Sequence, residues 1–207
     1  MAEHLYTYID PPSKRHLDKA CGLLADGKVI CYPTGTSWAF GCDASSSKGL
    51  DKLHLLNPMH PKEKSLSLIC NSISMASNVG NIDHQLYRIL KKIWPGPYTV
   101  IVKRNRTLPR QIKDKRPVVG IRIPDNPLVI ALVEKYGHPL ATTSVPLSAE
   151  GAPYKMGFEI FDKFSHALDL LLDLGEELPG TETTVVDFSD GFPDVVRVGA
   201  GDVKIFG

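Results

Sequence analysis

Val29-Ile-Cys-Tyr-Pro-Thr-Gly-Thr-Ser-Trp-Ala-Phe-Gly41 begins with four apolar residues, is halted by Pro33 and runs on through two threonines, a serine, two aromatic residues and two glycines. A short continuous apolar run bounded by a breaker reads as a buried strand, here Val29 to Tyr32. The residues after Pro33 read as a turn at the strand exit. Such an exit can present hydroxyls and backbone N–H groups to a small polar ligand, and it can equally be an ordinary Pro/Gly turn.

The flanking periods set the fold class. Upstream, Ser13 to Asp26 carries Leu17, Ala20, Cys21 and Leu24 at helical spacing, with Gly27 as its stop. Downstream, helices are predicted over Ser47–Leu56, ended by Asn57-Pro58, over Asp83–Ile93, over Pro127–Tyr136 with Gly137 as stop, and over Gly157–Leu174. Strands are predicted over Ser67–Cys70, Tyr98–Lys103, Val118–Ile123, Leu140–Ser144, Thr183–Phe188 and Asp194–Val198, with a loop over Pro146–Tyr154. Helices and strands alternate without an internal repeat. The expectation is a single α/β domain spanning 1–207, with a twisted mixed sheet.

Length and composition fit one large domain or two very small ones with a sizeable core. The chain has 207 residues, 43% of them hydrophobic, and a net charge of +1, which excludes a disordered tail or a polybasic coat. The charge is unevenly spread: residues 151–207 hold 11 acidic and 4 basic side chains, leaving a balance of +8 for residues 1–150. The four cysteines, Cys21, Cys31, Cys42 and Cys70, form no C-x-x-C pair and read as reduced core thiols. No basic leader with an apolar core and no long apolar span is present, so a cytoplasmic protein without a membrane partner is expected.

Several stretches could carry chemistry. Arg122 lies among apolar neighbours in Gly120-Ile-Arg-Ile-Pro124, where an unpaired guanidinium is costly; it needs a rim, an acid or an anionic ligand. Arg197, between Val196 and Val198, repeats the problem, and the two arginines could converge on one anion. Thr142, Thr143 and Ser144 end a strand with three consecutive hydroxyls, which can donate to phosphate or carboxylate oxygens or simply fill a strand. Lys103 to Arg116 holds seven basic residues and one acid, a solvated loop or an attractor of RNA phosphates. The seven histidines suggest no metal site, and neither a nucleophile elbow nor a P-loop is present.

The order of these motifs resembles that of a known family. Tyr32-Pro-Thr-Gly-Thr-Ser-Trp-Ala-Phe-Gly, Lys64-Ser-Leu-Ser-Leu-Ile, Trp94-Pro-Gly-Pro-Tyr-Thr-Val, Val119-Gly-Ile-Arg-Ile-Pro, Thr142-Thr-Ser, Thr183-Thr-Val-Val-Asp and Val196-Arg-Val-Gly resemble the YrdC family, which includes the threonylcarbamoyl-AMP synthases. The match covers about residues 15–204, and the C-terminal end looks most like the YciO branch. The resemblance implies a twisted α/β sheet around a large, positively lined cavity. It implies condensation of L-threonine, bicarbonate and ATP, the last as a magnesium complex, into threonylcarbamoyl-adenylate and pyrophosphate for tRNA modification. Some members bind double-stranded RNA, so an RNA partner is a further expectation, and a non-enzymatic RNA-binding module on the same fold is the opposed reading. A small-metabolite binding protein using the same cavity is a third. Carried over by motif, Thr34, Thr36 and Trp38 line the threonine side. Lys64, Arg122, Thr142, Thr143, Ser144 and Arg197 face the nucleotide, its phosphates or the carbamoyl group, with Lys64 and Ser144 in catalytic roles.

The departures are specific. Family synthases carry Lys-x-Arg after the second helix and Ser-x-Asn at the later strand end. Here the first falls on Leu55-Leu56-Asn57, give or take one residue, and the second reads Ser144-Val145-Pro146. The acid usual after Pro-Thr is Gly35, and Trp38 stands where the family usually has Tyr. On this reading nucleotide binding survives better than fast synthesis.

Overall fold

The computed structural model describes residues 2–8, 11–57, 66–105 and 117–206. In chain order the elements are β1 (Glu3–Tyr6), α1 (Lys14–Ala25), β2 (Ile30–Pro33), β3 (Trp38–Asp43), α2 (Ser47–Leu56), β4 (Ser67–Ile69), α3 (Ile73–Val79), α4 (His84–Ile93), β5 (Tyr98–Lys103), β6 (Val118–Arg122), α5 (Pro127–Tyr136), β7 (Leu140–Ser144), α6 (Gly157–Phe164), β8 (Leu170–Asp173), β9 (Thr184–Asp187) and β10 (Asp194–Arg197), with a closing 3-10 turn at Val203–Phe206. Among the described residues the strands form one mixed ten-stranded sheet in the order β1-β8-β2-β3-β7-β4-β6-β5-β9-β10. The α/β domain expected from the sequence is therefore the observed one.

Local chemistry fixes the helix ends. Ser46, Ser72, Asp83 and Asn126 cap α2, α3, α4 and α5 by accepting from the N–H groups of Gly49, Met75, Leu86 and Val129. Each side chain thereby satisfies one orphan donor of the first turn. Helix α5 adds Pro127 in its first turn and stops at Gly137, whose φ of +81° suits a residue without a Cβ.

Alternation along the strands divides the core into two layers. Ile30 and Tyr32 face α1 and α5, packing with Leu17, Ala20, Leu24, Leu128 and Leu132. Cys31, Phe40, Cys42, Leu68, Val100 and Ile121 face the other way, onto apolar residues of α2, α4 and α6 such as Leu53, Leu90 and Ile160. Cys31, Cys42 and Cys70 are buried free thiols and Cys21 is half-buried. Burial pushes the Cys70 thiol up to about 12, so it stays protonated at neutral pH.

Three expectations change. The turn after Pro33 is only Thr34 to Ser37, because Trp38-Ala-Phe-Gly-Cys-Asp is strand β3, paired antiparallel with β2. The helix expected over Gly157–Leu174 ends at Phe164, and Leu170-Leu-Leu-Asp173 is the buried strand β8, parallel to both β1 and β2. Val195, Val196 and Val198 are exposed, since β10 is an edge strand paired only with β9 among the described residues, so Arg197 is not set in an apolar interior. Lys64 and most of the basic stretch, from 106 to 116, lie outside the described residues.

Candidate functional site

Cross-strand registers put Ala39, Ser67, Ile69, Thr99, Arg122, Thr142 and Ser144 on one face of the sheet. This is the face that α1 and α5 cover at its apolar end, over Tyr32, Ala39, Ile69 and Leu140. The hydroxyl-bearing end of the same face lines a cavity of about 180 Å3, walled also by Thr34, Trp38, Thr143, Glu182, Thr183 and Arg197. A second cavity of about 410 Å3, lined by Thr36, Gly96, Pro97, Asp125 and Thr181, shares Thr34 and Arg122 with the first. Apart from Lys64, every residue assigned from the sequence to the threonine or nucleotide side therefore lies on one of these two adjoining walls. A third cavity, about 240 Å3 and lined by Asp83, Lys103 and Asp190, contains none of them.

The turn between β2 and β3 is built to hold its shape. Thr34 donates from Oγ1 to the Ser37 carbonyl at 2.7 Å, and the Thr34 carbonyl is left to face Arg122. Gly35 has a φ of +84°, and a Cβ there would sit 2.8 Å from the Asp125 carbonyl oxygen. An acidic side chain at this position is incompatible with the turn as it is folded.

Arg122 is 8% exposed, at the end of β6. Its Nη2 donates to the Thr34 carbonyl at 2.9 Å and to Thr36 Oγ1 at 3.0 Å. Its Nε is buried without a hydrogen-bond partner among the described residues. No carboxylate among them pairs with it, so the acid-paired alternative gives way to a solitary buried cation facing the cavity. Desolvation, with a smaller push from Arg197, lowers its pKa to about 10, where it remains charged at neutral pH.

The strand-end hydroxyls are not equivalent. Thr142 donates to the Phe40 carbonyl at 3.0 Å and accepts from Tyr32 Oη at 3.2 Å, so its proton is committed to the fold. Thr143, opposite Phe40, turns its side chain to the other face of the sheet, where its Oγ1 accepts from Asn57 Nδ2 at 3.0 Å, so its hydroxyl does not serve the cavity as the sequence suggests; Ser144 is exposed at the rim. Trp38 is buried and donates from Nε1 to the Lys155 carbonyl at 3.0 Å, which fixes its ring. Leu55, by contrast, is 80% exposed and lines neither cavity.

Arg197 has the acid partner that Arg122 lacks. Its Nη1 donates to Glu182 Oε1 at 2.8 Å, while Nε and Nη2 donate to the carbonyl and hydroxyl of Thr183 at 3.1 and 3.2 Å. Thr183 Oγ1 in turn lies 2.9 Å from Thr99 Oγ1. The sequence alone assigns no role to Thr99, Thr183, Ser67 or Glu182. The first three sit inside the family-like motifs, whereas Glu182 immediately precedes one.

The mixed sheet and a hydroxyl-lined cavity with a buried arginine at strand ends define the YrdC-type class of fold. Residues 22–199 match the Sua5/YciO/YrdC family model, described as telomere recombination. The chain belongs to this family. YciO of Escherichia coli strain K12 is 33% identical over 207 residues, covering 100% of both chains. The crystal structure of E. coli YciO superposes with a TM-score of 0.92 at 32% identity, again over 100% of both. The threonylcarbamoyl-AMP synthase of Bacillus subtilis is 29% identical over 188 residues, 87% of this chain and 52% of the synthase, so the chain spans about half of that relative. Pyrococcus abyssi Sua5 complexed with L-threonine has the same fold, with a TM-score of 0.87 at 21% identity over 100% of this chain and 61% of Sua5. Among the described residues, no helix is long and apolar enough to cross a membrane.

Proposed function

We propose that the chain binds an adenine nucleotide against Arg122 and Ser144, with L-threonine toward Thr34, Thr36 and Trp38, and that threonylcarbamoyl-AMP synthase chemistry persists there at a reduced rate. The observation that carries this reading is the Arg122 Nε, a buried cationic donor left without a partner beside a cavity whose wall supplies hydroxyls. A buried donor of that kind is costly unless a ligand acceptor completes it. The curated synthase relatives support the nucleotide as the ligand class.

In this reaction the threonine nitrogen joins the bicarbonate carbon with loss of water, and a carbamate oxygen then displaces pyrophosphate from the α-phosphorus of ATP. Arg122 and the Ser144 hydroxyl would stabilise the phosphoryl oxygens as charge moves onto pyrophosphate. Among the described residues no group of three or more His, Cys, Asp or Glu could hold a metal ion. Magnesium would arrive on the triphosphate. Charge-assisted hydrogen bonds contribute about 1.5–3 kcal/mol each, so each synthase cation missing from the reacting end lowers the rate by about one to two decades if it acts in the transition state. The catalytic role of Lys64 rests on its motif.

Calorimetry with ATP and AMP, with and without magnesium, tests the binding; pyrophosphate release dependent on both threonine and bicarbonate tests the chemistry. Binding of ATP or AMP with Kd in the micromolar to millimolar range is expected. No heat and no thermal shift at millimolar nucleotide would reject the reading in favour of the RNA-binding module, which rests on the seven cations of residues 103–116.

A further inference from the structure

The Glu182 carboxylate stands in the wall of the candidate nucleotide cavity and occupies the Nη1 of Arg197 at 2.8 Å. Its presence there runs against the reading of the wall as an anion receptor, because a fixed carboxylate repels the phosphates that Arg197 would attract. The pair is nevertheless easily parted. The Arg197 and Glu182 side chains are 40% and 66% exposed, and exposed ion pairs of this kind hold only weakly.

Each partner is also anchored independently of the other. Arg197 keeps its bonds to the Thr183 carbonyl and hydroxyl when Glu182 leaves, so its guanidinium stays in place. The Glu182 carbonyl accepts from the Ala200 N–H at 2.9 Å, and the preceding residue is held in turn, with the Thr181 N–H donating to the Thr36 carbonyl at 3.1 Å. The carboxylate can therefore swing out while the strap that carries it remains fixed.

We infer that Glu182 is a specificity-determining guard: it holds Arg197 in the free protein and biases the cavity toward ligands of the adenosine monophosphate or acyl-adenylate class over triphosphate and pyrophosphate. The inference rests on nucleotide binding in this cavity. A single phosphate is met by Arg122 and Ser144 with the Glu182–Arg197 pair intact. A longer chain of phosphates has to displace Glu182 to reach Arg197, and it meets the repulsion of the displaced carboxylate. The same guard slows a forward reaction that begins from ATP.

The test is calorimetric titration of AMP, ATP and inorganic pyrophosphate into the wild-type protein and Glu182→Gln at one fixed ionic strength. Glu182→Gln is expected to tighten ATP and pyrophosphate about five- to tenfold and AMP about twofold or less. In an Arg197→Gln background the gain from Glu182→Gln should shrink by at least half, as coupling through that pair requires. Wild-type binding with no gain in the variant, or an equal gain for AMP and ATP, overturns the guard and leaves the nucleotide reading standing. Loss of L-threonine affinity with unchanged ATP affinity assigns Glu182 to an ammonium group and also overturns it. Binding of none of the three anions by either protein rejects both inferences.

Discussion

Asn57, the residue that ends α2, donates from Nδ2 to Thr143 Oγ1 and to the Ser144 carbonyl, both at 3.0 Å, and so ties the helix to the end of β7. It stands where the synthase pattern places a cation, give or take one residue, and it is only 6% exposed.

Asn57→Ala should therefore loosen the rim of the cavity. Loss of two hydrogen bonds costs about 1–3 kcal/mol, which urea unfolding will read as a lower midpoint with an unchanged slope. Asn57→Arg should be at least as destabilising, because a guanidinium has no room to keep both acceptors satisfied, and it should not raise pyrophosphate release. Leu55→Lys should fold normally and leave nucleotide affinity within about twofold, since Leu55 lines neither cavity. A stable Asn57→Arg protein with faster pyrophosphate release would show that the tie to β7 is dispensable.

Arg122 gives a prediction in pH. Its folded pKa, about 10, lies below the ordinary arginine value because burial disfavours the charged form. The unfolded chain thus holds its proton to higher pH than the folded one. The burial cost is fully present below about pH 10, and stability rises as pH increases through that value toward the unfolded pKa. Arg122→Met removes both the charge and its cost. At pH 7 the variant should unfold within about 1 kcal/mol of the wild type, as replacement of a buried charge by an apolar side chain of similar volume often does. Nucleotide affinity should fall at least tenfold. Between pH 9 and 11 the wild type should gain stability relative to the variant in urea melts. A flat difference across that range would mean that the guanidinium is not desolvated in solution.

How much of the structure is legible in the sequence depends on the strength of local signals. Helices α2 and α5 match their expected bounds because Ser46, Asn57, Asn126, Pro127 and Gly137 are punctuation with a physical mechanism. Strand β3 is hidden because Trp38-Ala-Phe-Gly-Cys-Asp lies almost wholly buried, so its faces do not alternate in polarity. Strand β8 merges with a helix because Leu170-Leu-Leu, apolar throughout and buried on both faces, fits either period. Edge strand β1 and the serine-rich α3 carry too little apolar pattern to be seen. At the site, Arg122 is legible as a cation in an apolar strand. The inequality among Thr142, Thr143 and Ser144 is not, because it depends on Phe40, Tyr32 and Asn57, which come from distant parts of the chain.

RNA binding makes a separate prediction, carried by the charge of residues 103–116. If that stretch binds double-stranded RNA, it does so through phosphates, since no aromatic interleaves it, and sequence preference should be weak. For about four phosphate contacts the slope of log affinity against log salt should be about −3 to −4, taking about 0.9 per contact from duplex DNA. Arg104 is unsuitable for charge reversal: its Nη1 is buried, and a carboxylate there would disturb the pairing beside Gly80. Reversal of Arg106, Lys113 and Arg116 to Glu should abolish RNA binding in filter or anisotropy assays while nucleotide affinity stays unchanged, because the described residues that wall the cavity come from other segments. Unchanged RNA affinity in the folded triple variant would move the RNA surface elsewhere, and joint loss of RNA and nucleotide binding would indicate one shared site. A salt dependence near zero would reject phosphate-driven binding and leave residues 103–116 as a solvated basic loop.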